Sequence, residues 1–376
     1  MRTVIATSFT PTLDSGRARR TYGVVAALAR HGEVDLVYGR FGADRPDRHF
    51  EALPNIAFHA VDRPGRVARL PAYVRARSRG IPDDFARGIW PGIPAAVEKL
   101  VDRPDRERVR IVAEGPVVAA ALLPLAAQRP ACYCSHNLES SFRHQLEESG
   151  MSRQALERFE RLLLEHYAES WMVSEADMKG AAALAPGAGL RLVPNVVDVA
   201  ATEPVEPRGG RRAVAFVADL GYEPNRDGLA FLLEEAMPEV WRRAADVELL
   251  IAGKGSDRIE ASDPRVRLQG FVENLRDVYD AAGAVMVPLR EGGGSPLKFV
   301  EALAYGLPVV ATPLAAQGLE IEAGADYFEA PAEGVAFAEA IVRALDPELG
   351  DPVARAGHAV AEERYSIEAL ERCLDL

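Results

Sequence analysis

Glu291-Gly-Gly-Gly-Ser-Pro-Leu-Lys-Phe-Val-Glu-Ala-Leu-Ala-Tyr-Gly-Leu-Pro-Val-Val-Ala-Thr312 is the stretch from which the fold is read. Gly292, Gly293 and Gly294 allow positive φ and let backbone approach a ligand closely. Ser295 suits a helix N-cap and Pro296 the first helical position, which predicts a helix from about Pro296 to Tyr305. Gly306 suits the residue past its end, and Pro308 blocks continuation. Val309, Val310 and Ala311 then read as a short buried strand. A helix start behind a glycine loop aims free N–H groups and the positive end of a dipole at one point. Lys298 and Glu301 lie three apart, on one face of the first turns. A cation and a hydroxyl-binding carboxylate at an anion hole suit a ligand with both phosphates and a sugar.

Upstream of this device, residues 285–288 read as the strand that feeds it. Before that come strands at 213–217, 247–252 and 266–269 and helices at 228–241 and 274–282. The N-terminal half has the same rhythm. A strand at 4–6 leads through a turn-rich loop to a helix at 18–31, and strands follow at 34–38, 111–113, 131–134, 171–174 and 190–193. Residues 202–210, rich in Pro, Gly and Glu, carry no periodicity and read as a linker. Alternating strands and helices predict parallel sheets, hence two doubly wound α/β domains. The glycine device then lies beyond the carboxyl end of a strand, where such sheets bind ligands.

The length of 376 residues fits two domains, and 48% hydrophobic residues can fill two cores. The net charge of −12 argues against a general nucleic-acid binder. A local pocket can still be positive on an acidic protein. Three cysteines, Cys132, Cys134 and Cys373, are a sparse odd count that fits a reducing cytosol. Cys132-x-Cys134 lacks a matching second pair, so it reads as structural thiols and not a metal site. The N-terminal apolar run is too short for a signal peptide and no stretch reaches membrane-spanning length, which predicts a soluble, cytoplasmic chain. Arg63, Arg66, Arg69, Arg75, Arg77 and Arg79 crowd one segment, interleaved with Leu70, Tyr73 and Val74. It reads as a solvated helix, or as a peripheral contact for a lipid phosphate or an anionic membrane. No Gly-x-Gly-x-x-Gly follows the first strand and no Gly-x-x-x-x-Gly-Lys occurs, which speaks against nicotinamide and P-loop enzymes.

In order and spacing these motifs resemble the retaining glycosyltransferases of the GT-B fold, glycosyltransferase family 4. The match is most specific over Gly292 to Thr312. It extends to Asp219-Leu-Gly-Tyr-Glu-Pro-Asn225, Val193-Pro-Asn-Val-Val-Asp198, Ser135-His-Asn-Leu-Glu139, Val173-Ser-Glu-Ala-Asp177 and the Ser15-Gly16 loop. The resemblance implies two Rossmann-like domains facing across a cleft. Residues 1–200 would bind the acceptor and 201–353 the nucleotide-sugar donor, with 354–376 crossing back to the first domain.

It also implies roles. Lys298 and Arg226 would neutralise the donor diphosphate. Glu301 would accept hydrogen bonds from the ribose hydroxyls, for which a carboxylate has the lone pairs. Backbone N–H groups of Gly293, Gly294, Ser295 and Leu297 would hold phosphate and sugar oxygens. Gly16 would let its loop close over the diphosphate, His136 would act beside the donor sugar, and Val272 would offer its backbone to the base. The chain has no Asp-x-Asp, so no metal or other cofactor is expected and the protein itself supplies the positive charge to the leaving group. The donor implied is a UDP- or GDP-sugar, and the acceptor bears a hydroxyl: a small molecule, a lipid-linked glycan or a natural product. Many relatives carry a glutamate where this chain has Gly293. That departure favours a front-side displacement over a covalent intermediate. It also keeps open a catalytically impaired nucleotide-sugar-binding protein. A GT-B sugar-nucleotide epimerase is a further alternative, although it would show a different histidine and carboxylate pattern.

Overall fold

The computed structural model of the chain describes residues 1–102, 109–141, 151–205, 211–291 and 295–376. They form two compact units, Met1–Asn195 with Leu370–Leu376, and Val196–Ala369.

The first unit is built on seven parallel strands: β1 (Arg2–Thr7), β2 (Val34–Arg40), β3 (Ile56–Asp62), β4 (Val109–Glu114), β5 (Cys132–Cys134), β6 (Glu169–Met172) and β7 (Leu190–Leu192). Their order is β3-β2-β1-β4-β5-β6-β7. β1 is buried along its whole length, as expected of a central strand covered by helices on both faces. β3 escapes the sequence reading because it is an edge strand with only half-buried and exposed residues, so it lacks a continuous apolar run. The helix Gly16–His31 follows β1. Ser15 caps it by accepting from the Ala18 N–H at 3.4 Å, and Arg30 and His31 occupy its last turn, where the dipole favours cations. At the amino ends of the strands Arg2 donates to Asp35 at 2.5 Å, and the His59 Nε2 lies 2.7 Å from the same carboxylate. Cys132 and Cys134 sit in β5, and burial pushes their thiols up to about 12 and about 11, so they behave as inert packing.

The second unit holds six parallel strands: β8 (Ala213–Val217), β9 (Glu248–Ala252), β10 (Val266–Gly270), β11 (Ala284–Val287), β12 (Val309–Ala311) and β13 (Phe328–Glu329). Their order is β10-β9-β8-β11-β12-β13. One face packs Phe216, Ile251, Met286 and Phe337, and the other Ala215, Val285, Phe299 and Leu303. The helix expected at 228–241 starts earlier and is not uniform. It runs as Glu223–Phe231, widens into a π turn at Leu232–Ala236 and continues as Met237–Arg243. Pro238 has no N–H and would clash in a regular helix, and the wider turn accommodates it. The helix expected at 274–282 shrinks to Arg276–Tyr279.

The division between units falls at Asn195/Val196, not in the 202–210 segment. Val205 is buried and its N–H bonds to the Tyr305 carbonyl at 2.8 Å, so the described part of that segment packs on the second unit. The helix Pro347–Arg364 stays in the second unit with Ala354 and Ala361 buried, and only Leu370–Leu376 join the first. Among the described residues no helix is long and apolar enough to cross a membrane.

Candidate active site

Each sheet reverses its strand order once: between β1 and β4 in the first unit and between β8 and β11 in the second. Loops leaving neighbouring strands there diverge and open a crevice beyond the carboxyl ends. Of the sequence-predicted residues, Gly16 opens the helix after β1, Arg226 lies in the helix after β8, and Lys298 and Glu301 lie in the helix after β11, whereas His136 follows β5 and Val272 follows β10.

In the second unit the β8 loop leads into the helix Glu223–Phe231, and the β11 loop leads into the helix Leu297–Ala304. Lys298 joins them: its Nζ donates to Asn225 Oδ1 at 2.5 Å and lies 5.6 Å from the centroid of the Phe216 ring. The side chain is half-buried but its ammonium is enclosed, and loss of water pushes its pKa down to about 8. Among the described residues it forms no ion pair with a carboxylate.

Glu301 is buried one turn further along the same helix. Ser295 is buried too, but it does not cap the helix. Pro296, in extended conformation, occupies the cap and Leu297 is the first helical residue, so the expected Ser295 cap and Pro296 first turn are corrected by one position. The helix end follows the prediction. Gly306, at φ +67°, donates to the Leu303 carbonyl at 2.8 Å, and Leu307 donates to that of Ala302 at 3.1 Å, the two bonds of a Schellman turn. Gly293 and Gly294, with Gly292, lie outside the described residues.

Arg226 is in the first turn of a helix and not in a loop, because Pro224 fits a first turn and starts the helix early. Its Nη1 donates to the carbonyls of Leu220 at 3.0 Å and Gly221 at 2.9 Å, which holds the β8 loop closed. Asn225 also ties that loop, through a 2.7 Å bond from Nδ2 to the Asp219 carbonyl. Gly253, after β9, has φ +117°, and a Cβ there would come within 2.1 Å of the Ala218 carbonyl oxygen. The close approach lets the Leu220 N–H reach the Lys254 carbonyl at 2.9 Å. Val272 is half-buried beyond β10 and packs on the second core, while Phe271 beside it is 59% exposed.

In the first unit Gly16 opens the helix after β1, and a Cβ there would meet nothing within 4 Å. Packing therefore does not require glycine at this position. His136 follows β5, with its Nε2 3.3 Å from Glu114 Oε1 at the end of β4. Burial pulls its pKa below the ordinary histidine value against the pull of the Glu114 carboxylate. Glu114 and Asn225 are contributors that sequence reading missed. Asn225 lay inside a quoted motif between Pro224 and Arg226, but nothing in the local pattern named its partner 73 residues away.

The arginine-rich segment forms the helix Arg66–Ser78, with only Ala76 fully buried. Val67, Leu70 and Val74 are 85%, 57% and 56% exposed and lie three to four residues apart, on one stripe. Arg66, Arg75 and Arg77 are exposed around them.

Residues 211–347 match the family described as "Glycosyl transferases group 1". Over 135 residues the chain is 37% identical to the phosphatidyl-myo-inositol mannosyltransferase of Mycolicibacterium smegmatis, covering 32% of this chain and 34% of that protein. It is 36% identical over 135 residues to the protein of that name from Mycobacterium tuberculosis. The chain thus spans about a third of the length of these curated relatives. Structural likeness covers the whole chain. The sucrose-phosphate synthase of Thermosynechococcus elongatus superposes with a TM-score of 0.73 at 15% identity over 100% of this chain and 97% of that one. Anabaena HepE, solved with UDP and glucose, gives 0.68 at 14% identity over 100% of this chain and 98% of its own. This protein therefore has the GT-B glycosyltransferase fold. The stretch of its second unit that is similar to the group 1 glycosyl transferases, residues 211–347, holds both Lys298 and Asn225.

Proposed function

We propose that the chain is a retaining, metal-independent glycosyltransferase of family 4 that moves a sugar from a UDP- or GDP-sugar to a hydroxyl acceptor in the cytoplasm. The observation that carries this reading is the enclosed Lys298 ammonium, hydrogen-bonded to Asn225 and without an ion pair among the described residues, at the second sheet's switch point and inside the residues that match the group 1 domain. Charge that builds on a leaving diphosphate is stabilised best by fixed donors in a dry site. Lys298 supplies one, and the backbone N–H groups of Ser295 and Leu297 supply others, with those of Gly293 and Gly294, which precede them in the sequence, assigned the same role by the resemblance. Arg226 is the second cation, acting as it does on the β8 loop. Buried Glu301 suits the two ribose hydroxyls, and the Val272 backbone suits the base.

In the first unit the resemblance gives Gly16, around which a Cβ would meet nothing within 4 Å, to a phosphate, and His136 to a sugar hydroxyl. With Gly293 in place of a carboxylate, the leaving phosphate oxygen deprotonates the acceptor on the face it departs from, and configuration is kept. The exposed apolar and arginine stripe of Arg66–Ser78 supports peripheral contact with an anionic membrane, which suits an acceptor on a lipid phosphate. The mannosyltransferase relatives are named for such a lipid.

The test is a thermal-shift screen against nucleoside diphosphates and their sugars, followed by turnover with the sugars that bind. Stabilisation by UDP or GDP with sugar release from one donor supports the reading. No response to any nucleoside diphosphate ends it. Stabilisation without either transfer or slow donor hydrolysis would select the second reading, a binding protein disabled at Gly293.

A further inference from the structure

Glu114 is a carboxylate that the proposed chemistry does not use, yet the first unit is built tightly around it. It ends β4 and is 1% exposed. Its Oε1 accepts the hydroxyl of Thr21, from the helix Gly16–His31, and faces His136 Nε2 at 3.3 Å. Oε2 makes no hydrogen bond among the described residues. Arg20 is buried nearby, but its Nη1 is directed to the Val193 carbonyl at 2.9 Å and Asn195 Oδ1 at 3.1 Å. Among the described residues the imidazole of His136 is the one basic side chain within ion-pair distance of Glu114.

A buried carboxylate without a permanent cation costs free energy, so a purely structural role would be served better by a neutral residue. The next residue sharpens the point. Gly115 has φ +76°, and a Cβ there would lie 2.7 Å from His136 Cε1. Glycine at this position thus leaves the room that lets the imidazole ring lie against the end of β4. A carboxylate beside one ring nitrogen fixes the tautomer and turns the other nitrogen outward.

We infer that Glu114, oriented by Thr21, is a positioning residue that holds His136 with its proton on Nε2 and offers Nδ1 as an acceptor to a sugar hydroxyl. The inference rests on the role proposed above for His136. The charged groups that face the ring are Glu114, Arg17 and Arg20. The carboxylate raises the imidazole pKa, whereas the arginines and burial lower it. Removing the carboxylate therefore moves the titration down.

The experiment has two readouts on the full chain. Imidazole nitrogen NMR, with His136 assigned by loss of its signals in His136→Ala, should find the Nε2–H tautomer in the parent. In Glu114→Gln the His136 midpoint should fall by about one pH unit. Thr21→Val, which keeps the carboxylate but removes the hydroxyl that orients it, should give a smaller shift of the same sign. It serves if the glutamine variant does not fold. In kinetics with the donor found by screening, Glu114→Gln should lower kcat about 10- to 100-fold with little change in donor KM, and should cost nothing further in a His136→Ala background. An Nδ1–H tautomer in the parent, an unmoved midpoint in both variants, or equal losses with and without His136 would overturn the inference. A parent that turns over no nucleotide sugar but shows the tautomer and the shift would refute the transferase reading and leave Glu114 as the residue that sets His136.

Discussion

Replacing Lys298 with methionine should make the unliganded protein more stable and the nucleotide complex much weaker. The ammonium is enclosed beside Asn225 and the Phe216 ring, and burial alone lowers its pKa from 10.5 to about 8. That drop of about 2.5 units corresponds to roughly 3 kcal/mol held against the charged folded form at neutral pH. The folded pKa lies below the unfolded one, so between about pH 8 and 10.5 the unfolded chain binds the extra proton. Stability from this group therefore rises with pH through that window. Methionine removes the penalty and keeps the apolar stem. It also removes the bond to Asn225 and the cation–ring contact, together about 1–2 kcal/mol. The net expectation is a gain of about 1–2 kcal/mol in urea unfolding at pH 7 that shrinks as pH rises above about 8 and turns into a small loss before about pH 10.5. Calorimetry with UDP and GDP should find affinity down at least tenfold, and transfer should lose roughly 2–4 kcal/mol of barrier lowering. A methionine variant that is less stable at pH 7 and binds nucleoside diphosphate within twofold of the parent would refute the reasoning.

Glu301→Gln should weaken nucleotide binding and leave the unfolding midpoint nearly unchanged; titrations identical to the parent would remove the ribose role. Transfer should survive EDTA, and full loss restored by one divalent ion would mean that a metal carries the charge assigned to Lys298 and the helix start. The double change Leu70→Asp with Val74→Asp should abolish co-sedimentation with vesicles rich in anionic lipid without altering turnover of a soluble acceptor, and retained sedimentation would clear the Arg66–Ser78 helix of that role. Gly306→Ala should destabilise the second unit by about 1 kcal/mol, read by urea unfolding, since alanine resists the φ of +67° that closes the Schellman turn.

The architecture was largely legible because both sheets are parallel. Their central strands are short unbroken apolar runs, and the 309–311 strand was read to the residue. What escaped was whatever lacked that signature. β3 at one edge of its sheet carries half-exposed residues, and β13 is two residues long. The starts of the helices after β8 and β11 were each misjudged around a proline. Pro224 opened its helix early, and Pro296 took the cap in place of Ser295. Lys298 and Glu301 could be placed in the first turns of one helix from the local pattern, because glycines and prolines mark where strands hand over to helices, whereas Arg226 and Val272 entered only through the family resemblance. Partnerships across sequence could not. The Lys298–Asn225 bond spans 73 positions and the His136–Glu114 contact spans 22, and each depends on which strands become neighbours. Strand order is a tertiary fact that spacing alone does not encode.

The return of residues 370–376 to the first unit has a consequence for biosynthesis. Arg191 donates to the Cys373 carbonyl at 2.9 Å and to Asp375 at 2.6 Å, and Arg30 reaches Glu371 at 3.4 Å. These contacts are made by a peptide translated some 170 residues after the sheet it closes on. During synthesis the amino-terminal half must wait on the ribosome with that flank open until the other half has emerged, which leaves a long interval for a chaperone to occupy. Nascent chains stalled through carboxy-terminal linkers of increasing length, which carry residues 370–376 progressively out of the exit tunnel, should show the moment of closure as a jump in protease resistance.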